Sequence, residues 1–208
     1  MKLNQLIEAF DQQNLRDVPK NSKGNETGSG HFSSVASNKD DPHTVIKTAT
    51  KHDTAYNAYV DFLMKNKIAQ RNPHFPRIYV SAGGKHWEME KLHMTLQEYL
   101  IYEAADTEEA NERIRNVTEL YLIDEFSNIP NSPALGLQTR VSSLVFALQK
   151  PKNIKLESWK EAVKIVHDFI DSDPEFREDI ASKNIMVRLS PVGIQLVFTD
   201  PAFCIKDV

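Results

Sequence analysis

Four side chains have types and spacings suited to handling a phosphate. Lys47 closes the apolar run Thr44-Val-Ile-Lys47. Asp179 and Asn184 stand five apart in Asp179-Ile-Ala-Ser-Lys-Asn184, and an apolar run follows them. Asp200 closes a second apolar run, Leu196-Val-Phe-Thr199. Phosphoryl transfer needs a carboxylate to take or orient the proton of the attacking hydroxyl. It also needs an amide and a further carboxylate to hold magnesium against the phosphates. Taken singly, each residue has an ordinary alternative: an edge lysine with its head in water, a turn aspartate before proline, an asparagine at a loop-to-strand turn.

These residues require particular elements around them. Short strands are expected at 31–37, 43–49, 76–82 and 86–91, with a helix over 53–67 that Asp53 can cap. Gly83-Gly84 reads as the hairpin turn between the last two of these strands. From there the apolar spacing becomes three and four, predicting helices at 95–104, 107–123, 136–149 and 157–171, with a loop at 127–134. Two strands return at 184–189 and 193–199, turning at Pro191-Val-Gly193. A hairpin with Asn184 at its entrance and Asp200 at its exit brings both toward one point. Ahead of the strands, 18–30 is polar and glycine-bearing, and 1–13 has the pattern of an amphipathic helix. Gly28-Ser-Gly30-His-Phe32-Ser-Ser-Val35 has glycines that let backbone N–H groups approach a phosphate. By itself it reads more readily as a linker into a strand.

Composition narrows the classes. With 208 residues, 40% hydrophobic and 26% charged, the chain can bury one core or build two small lobes. A net charge of −4 gives no general case for nucleic acid or an anionic membrane as partner. The single cysteine, Cys204, precludes an internal disulfide framework and suits a reducing compartment. No apolar run reaches a membrane span, and the N-terminus is too polar for a signal peptide.

The order of the pieces is glycine loop, strand lysine, helix, two strands, helices, D-x-x-x-x-N, strand, turn, strand, aspartate. It resembles the protein-kinase fold from about Gly28 to Phe203. The resemblance implies an α+β, minimal two-lobed fold: a small antiparallel N-lobe sheet with one helix, then a helical C-lobe carrying a catalytic hairpin. It divides the chain into an N-terminal helix and linker (1–22), an N-lobe (23–91) and a reduced C-lobe (92–208). Gly30-His-Phe-Ser33, Val45-Ile-Lys47, Ala55-Tyr-Asn-Ala-Tyr59, Ser182-Lys-Asn-Ile-Met186 and Thr199-Asp-Pro-Ala-Phe203 resemble, more narrowly, the early serine/threonine protein kinases of T-seven-like short-tailed bacteriophages. That likeness implies an enzyme of the host bacterial cytoplasm, with ATP and Mg2+ as cofactors and host transcription and RNA-processing proteins as substrates.

By the same resemblance, Asp179, Lys47 and Lys183 are catalytic, with Lys183 toward the γ-phosphate, and Asn184 and Asp200 hold the metal. Gly28, Ser29, Gly30, His31, Phe32, Ser33 and Val35 form the loop over the nucleotide. Met89 is the gatekeeper in Trp87-Glu-Met-Glu-Lys-Leu92, and the backbones of Glu90 and Leu92 meet the adenine edge. Val35, Ile46, Met89 and Met186 form the apolar slot for the base. Ser29, Ser33 and Ser34 are expected autophosphorylation sites.

The departures from the kinase pattern are specific. Arg177 and Glu178 stand where histidine and arginine precede the catalytic aspartate, and eight residues follow Asp200, so an activation segment is hardly present. No glutamate lies between Lys47 and His74. The usual acidic partner of the lysine must then be Asp61 or Asp53. Two other readings stay open: a pseudokinase that inhibits a host factor by contact, and a small-molecule kinase of the aminoglycoside-kinase type.

Overall fold

The computed structural model describes residues 26–29, 33–49, 52–82, 86–126, 132, 134–191 and 193–207. The expected N-terminal helix at 1–13, Gly30, His31, Phe32 and the Gly83-Gly84 turn lie outside them.

Five strands build one antiparallel sheet in the order β1-β2-β3-β5-β4. They are β1 (Glu26–Ser29), β2 (Ser33–Ser37), β3 (Thr44–Ala49), β4 (Ile78–Ala82) and β5 (His86–Glu90). β1 occupies part of the stretch expected to be loop, and a bulge between Glu26 and Gly28 interrupts its pairing with β2. Four residues with two small side chains carry too little alternation to announce a strand.

Between β3 and β4 runs α1 (Thr54–Lys65). Its first turn is fixed as expected: the Asp53 carboxylate accepts from the Tyr56 N–H at 3.0 Å. Lys65 complements the C-terminal end, and Asn66 caps it. Lys67, at φ 51°, then starts the short α2 (Ile68–Arg71), an addition to the single helix expected here. Ala55, Tyr56, Tyr59, Val60 and Leu63 are the buried face of α1.

After the sheet the chain turns helical. A π-type turn (Glu98–Tyr102), α3 (Thr107–Tyr121), α4 (Leu137–Leu148) and α5 (Glu157–Asp171) match the expected helices. Asp106 caps α3 by accepting from Glu109 N–H, and the Glu109 carboxylate reaches back to the Ala105 N–H. On α5, Trp159, Ala162, Val163, Val166, Phe169 and Ile170 recur at three and four and are all buried. Burying a side chain of the larger kinds among them contributes about 1.5–3 kcal/mol.

The returning hairpin is β8 (Ile185–Ser190) with β9 (Gly193–Phe198), joined to the short β6 (Met94–Thr95) on the outer side of β8. Gly193, at φ 120°, supplies the turn with a conformation costly for other residues. β7 (Phe176–Glu178) and β10 (Ala202–Cys204) form a further antiparallel pair that bounds the segment from Asp179 to Asp200. The molecule is thus α+β in the expected kinase-like layout, a small antiparallel sheet with α1 against it and a helical part bearing a hairpin. Within the single hydrophobic core Phe198 stacks on Trp159 at 4.3 Å, while its carbonyl accepts from the Tyr59 hydroxyl of α1 at 2.9 Å.

Candidate phosphate-handling site

Strand alternation decides what Lys47 faces. Val35 pairs with Lys47 across β2–β3; Lys47 pairs with Trp87 and Val45 with Met89 across β3–β5. Cross-strand partners share a face, so Val35, Val45, Lys47, Trp87 and Met89 line one side of the sheet. The expected slot is corrected at one position. Ile46 pairs with Ala36 and Glu88 on the opposite face and is 36% exposed. Val45, two residues before Lys47, takes its place, because a period of two puts i−2 and not i−1 beside the lysine.

Lys47 is 8% exposed, and its ammonium reaches Asp200 Oδ2 at 3.2 Å. It also lies over the ring of Tyr56, 3.2 Å from the centroid. A desolvated contact of this kind is worth ~2 kcal/mol. Burial works against the lysine charge, but Tyr56 and Asp200 outweigh it and hold the ammonium above its usual range. Asp200 is pushed up by burial, with Lys47 opposing, and nearby Asp53 and Asp179 add to the rise. The lysine's acidic partner is therefore neither residue named from the sequence. Asp61 is exposed, and Asp53 is committed to capping α1, acting on Lys47 only through its charge.

Asp179 and Asn184 are locked together by backbone. Asn184 Nδ2 donates to the Asp179 carbonyl at 2.7 Å, and the Asp179 N–H donates to the Pro201 carbonyl at 2.8 Å. Thr199 closes the other side, its N–H and hydroxyl both donating to the Asn184 carbonyl, at 3.1 and 3.0 Å. Asp179, Asn184 and Asp200 are thereby fixed around one short circuit of hydrogen bonds, with Lys47 delivered from the sheet. Lys183 is exposed.

The remaining candidates fall as follows. Gly28 and Ser29 lie in β1 and Ser33 in β2, with Gly28 opposite Val35 in register. Val35 and Ser34 are half-buried. Met89, 6% exposed, accepts at sulfur from the Tyr56 hydroxyl at 3.7 Å. Leu92 is buried and Met186 half-buried on β8. Glu90 is used in a way the sequence did not disclose. Its backbone N–H donates to the Arg77 carbonyl, while its carboxylate pairs with Arg188 of β8 and accepts from Arg77 N–H. Arg188 also donates to the carbonyls of Pro73 and Phe75 and to Gln195. One guanidinium so bolts the sheet's exit to the hairpin.

The donors suit magnesium. Asn184 spends its amide nitrogen on Asp179, so its side-chain oxygen is the atom that could ligate a metal, and Asp200 could add a carboxylate. Among the described residues no group of three or more His, Cys, Asp or Glu could hold a metal. Two oxygen ligands fit an ion that completes its shell with substrate phosphates and water. Sequence reasoning missed Tyr56. Its signal was its place in the first turn of a helix with no glutamate to offer.

No family model and no curated protein matches the chain. Among solved structures it is similar to the ternary complex of APH(2")-IIa with streptomycin and ATP, at a TM-score of 0.36 and 11% identity. The likeness covers 86% of this chain and 66% of that one, so the chain spans just under two thirds of that protein's length. Among the described residues no helix is long and apolar enough to cross a membrane.

Proposed function

We propose that the protein is an ATP-dependent phosphotransferase that moves the γ-phosphoryl group to a hydroxyl. The observation that carries this reading is the meeting of Lys47, from the sheet, with Asp200, from the hairpin exit, at 3.2 Å. A surface lysine would have no reason to be buried against a carboxylate 153 positions away. Lys47 binds the nucleotide phosphates. Asp179 accepts the proton of the acceptor hydroxyl as its oxygen bonds to the γ-phosphorus. The bond from that phosphorus to the β–γ bridging oxygen breaks, and ADP leaves with the electron pair. Asn184 and Asp200 would hold magnesium, which when bound draws charge from the phosphate oxygens. Lys183, exposed beside Asn184, meets the γ-phosphate; Val35, Val45, Met89 and Met186 enclose the base, with the Glu90 and Leu92 backbones at its edge.

The acceptor has two readings. The resemblance to phage serine/threonine kinases supports host protein hydroxyls. The other reading is a small hydroxyl compound, as in kinases of the aminoglycoside-kinase type. Incubation with γ-labelled ATP, magnesium and bacterial lysate separates them. Label in protein bands supports the first, label only in the low-mass fraction supports the second, and no transfer to either overturns the proposal.

A further inference from the structure

We propose that Tyr56 is the positioning residue of Lys47, its ring face doing from α1 what a helix carboxylate would otherwise do. The inference rests on the reading of Lys47 as a phosphate-binding lysine. Its geometry is independent of that reading.

The contact is built from three sides. The backbone N–H of Tyr56 is held by the Asp53 cap. Its ring stands edge-on to Trp87 at 4.8 Å and 82°, and Trp87 is the cross-strand neighbour of Lys47. Its hydroxyl donates to Met89 sulfur on the same sheet face. With Tyr56 1% exposed, the ring has no freedom to leave the ammonium. The acids of α1 and its cap are both occupied elsewhere, Asp61 in solvent and Asp53 on the helix end.

A ring face and a carboxylate hold a lysine differently. A carboxylate neutralises the ammonium and takes one or two of its three N–H donors. A ring attracts the cation through its quadrupole, leaves the net charge at +1 and accepts no strong directed hydrogen bond. Lys47 therefore keeps donors for Asp200 and for phosphate oxygens together. The tyrosine fixes where the charge sits without competing for it.

The test is a double-mutant cycle with MgATP binding as readout, joined to the chemical shift of the Lys47 ε-methylene protons in the nucleotide-free protein. Tyr56→Leu should weaken MgATP binding about tenfold, Tyr56→Phe less than about threefold, and Tyr56→Leu in a Lys47→Met background less than about twofold. In wild type and Tyr56→Phe the Lys47 protons should lie upfield from the ring current. In Tyr56→Leu they should return to the ordinary lysine position. Equal loss of binding in both backgrounds, or an ordinary Lys47 shift in wild type, would overturn the proposal. If wild type binds no MgATP, the phosphotransferase reading fails, and the resonance alone decides the contact.

Discussion

At the scale of single residues, the proposed reading separates binding from proton transfer. Asp179 is held through its backbone N–H and carbonyl. Asp179→Ala should thus abolish transfer, by a hundredfold or more, and leave MgATP affinity nearly intact. Turnover and equilibrium binding measured on the same preparation check this; near-normal turnover would remove Asp179 from the reaction. Asn184→Ala and Asp200→Ala should each weaken ATP binding only when magnesium is present, Asp200→Ala more so, because a carboxylate offsets the metal charge and an amide does not. Titrations with and without magnesium distinguish this from a metal-independent defect. That these positions converge was legible because a short spacing encodes it: five residues from Asp179 to Asn184, one hairpin from Asn184 to Asp200. Tyr56 was not legible, since a tyrosine on the buried face of an amphipathic helix reads as core. Ile46 was misread because a slot was assigned by apolarity, without following the alternation that turns it away from Lys47.

At the scale of elements, α1 is the bar between sheet and hairpin. Tyr56 touches Lys47, Tyr59 bonds the Phe198 carbonyl, and Asp207 fastens the helix start. The Asp207 carboxylate accepts from both the Thr54 N–H, at 2.7 Å, and its hydroxyl, at 3.1 Å, so the start of α1 is held by two acids, its neighbour Asp53 and the sequence-distant Asp207. Asp207→Ala should destabilise the fold by ~1 kcal/mol and Asp207→Asn by less, measured by urea unfolding. An alanine variant as stable as wild type would show the cap to be idle. The long helices were readable because ten or more residues at three- and four-residue spacing average out exceptions. β1, β6, β7 and β10 were not, being two to four residues long and defined by their partners. The β7–β10 pair, with the hydrogen bond from Asp179 N–H to the Pro201 carbonyl, brings Asp179 and Asp200 near each other.

For the whole molecule, acid sensitivity has an identifiable source. His74 is 1% exposed, with its ring between the Leu196 carbonyl at 2.7 Å and the Ser158 hydroxyl at 2.9 Å. Burial lowers its pKa to about 4, the Leu196 hydrogen bond opposing and Arg188 assisting. The unfolded chain binds a proton near pH 6.5 and the folded one does not until about 4, so stability falls as pH drops between those values. The loss from this group is ~2 kcal/mol by pH 5. Asp53 and Asp200, whose burial raises their pKa values, act in the opposite sense at lower pH. Unfolding curves at pH 7 and 5 for wild type and His74→Gln isolate the histidine; an identical pH dependence in both would exclude it. The Arg188 bolt bears on time rather than on strength. A nucleotide bound as proposed, between sheet and hairpin, would leave only as fast as the two part, and Glu90, Pro73 and Phe75 all restrain that parting through one side chain. Arg188→Gln should therefore shorten the residence of ADP, seen by stopped-flow chase, while the first turnover keeps its rate. An unchanged release rate would mean the crossing does not gate exit. On the proposed reading, that one arginine, outside the phosphate-handling group, would set the pace of turnover.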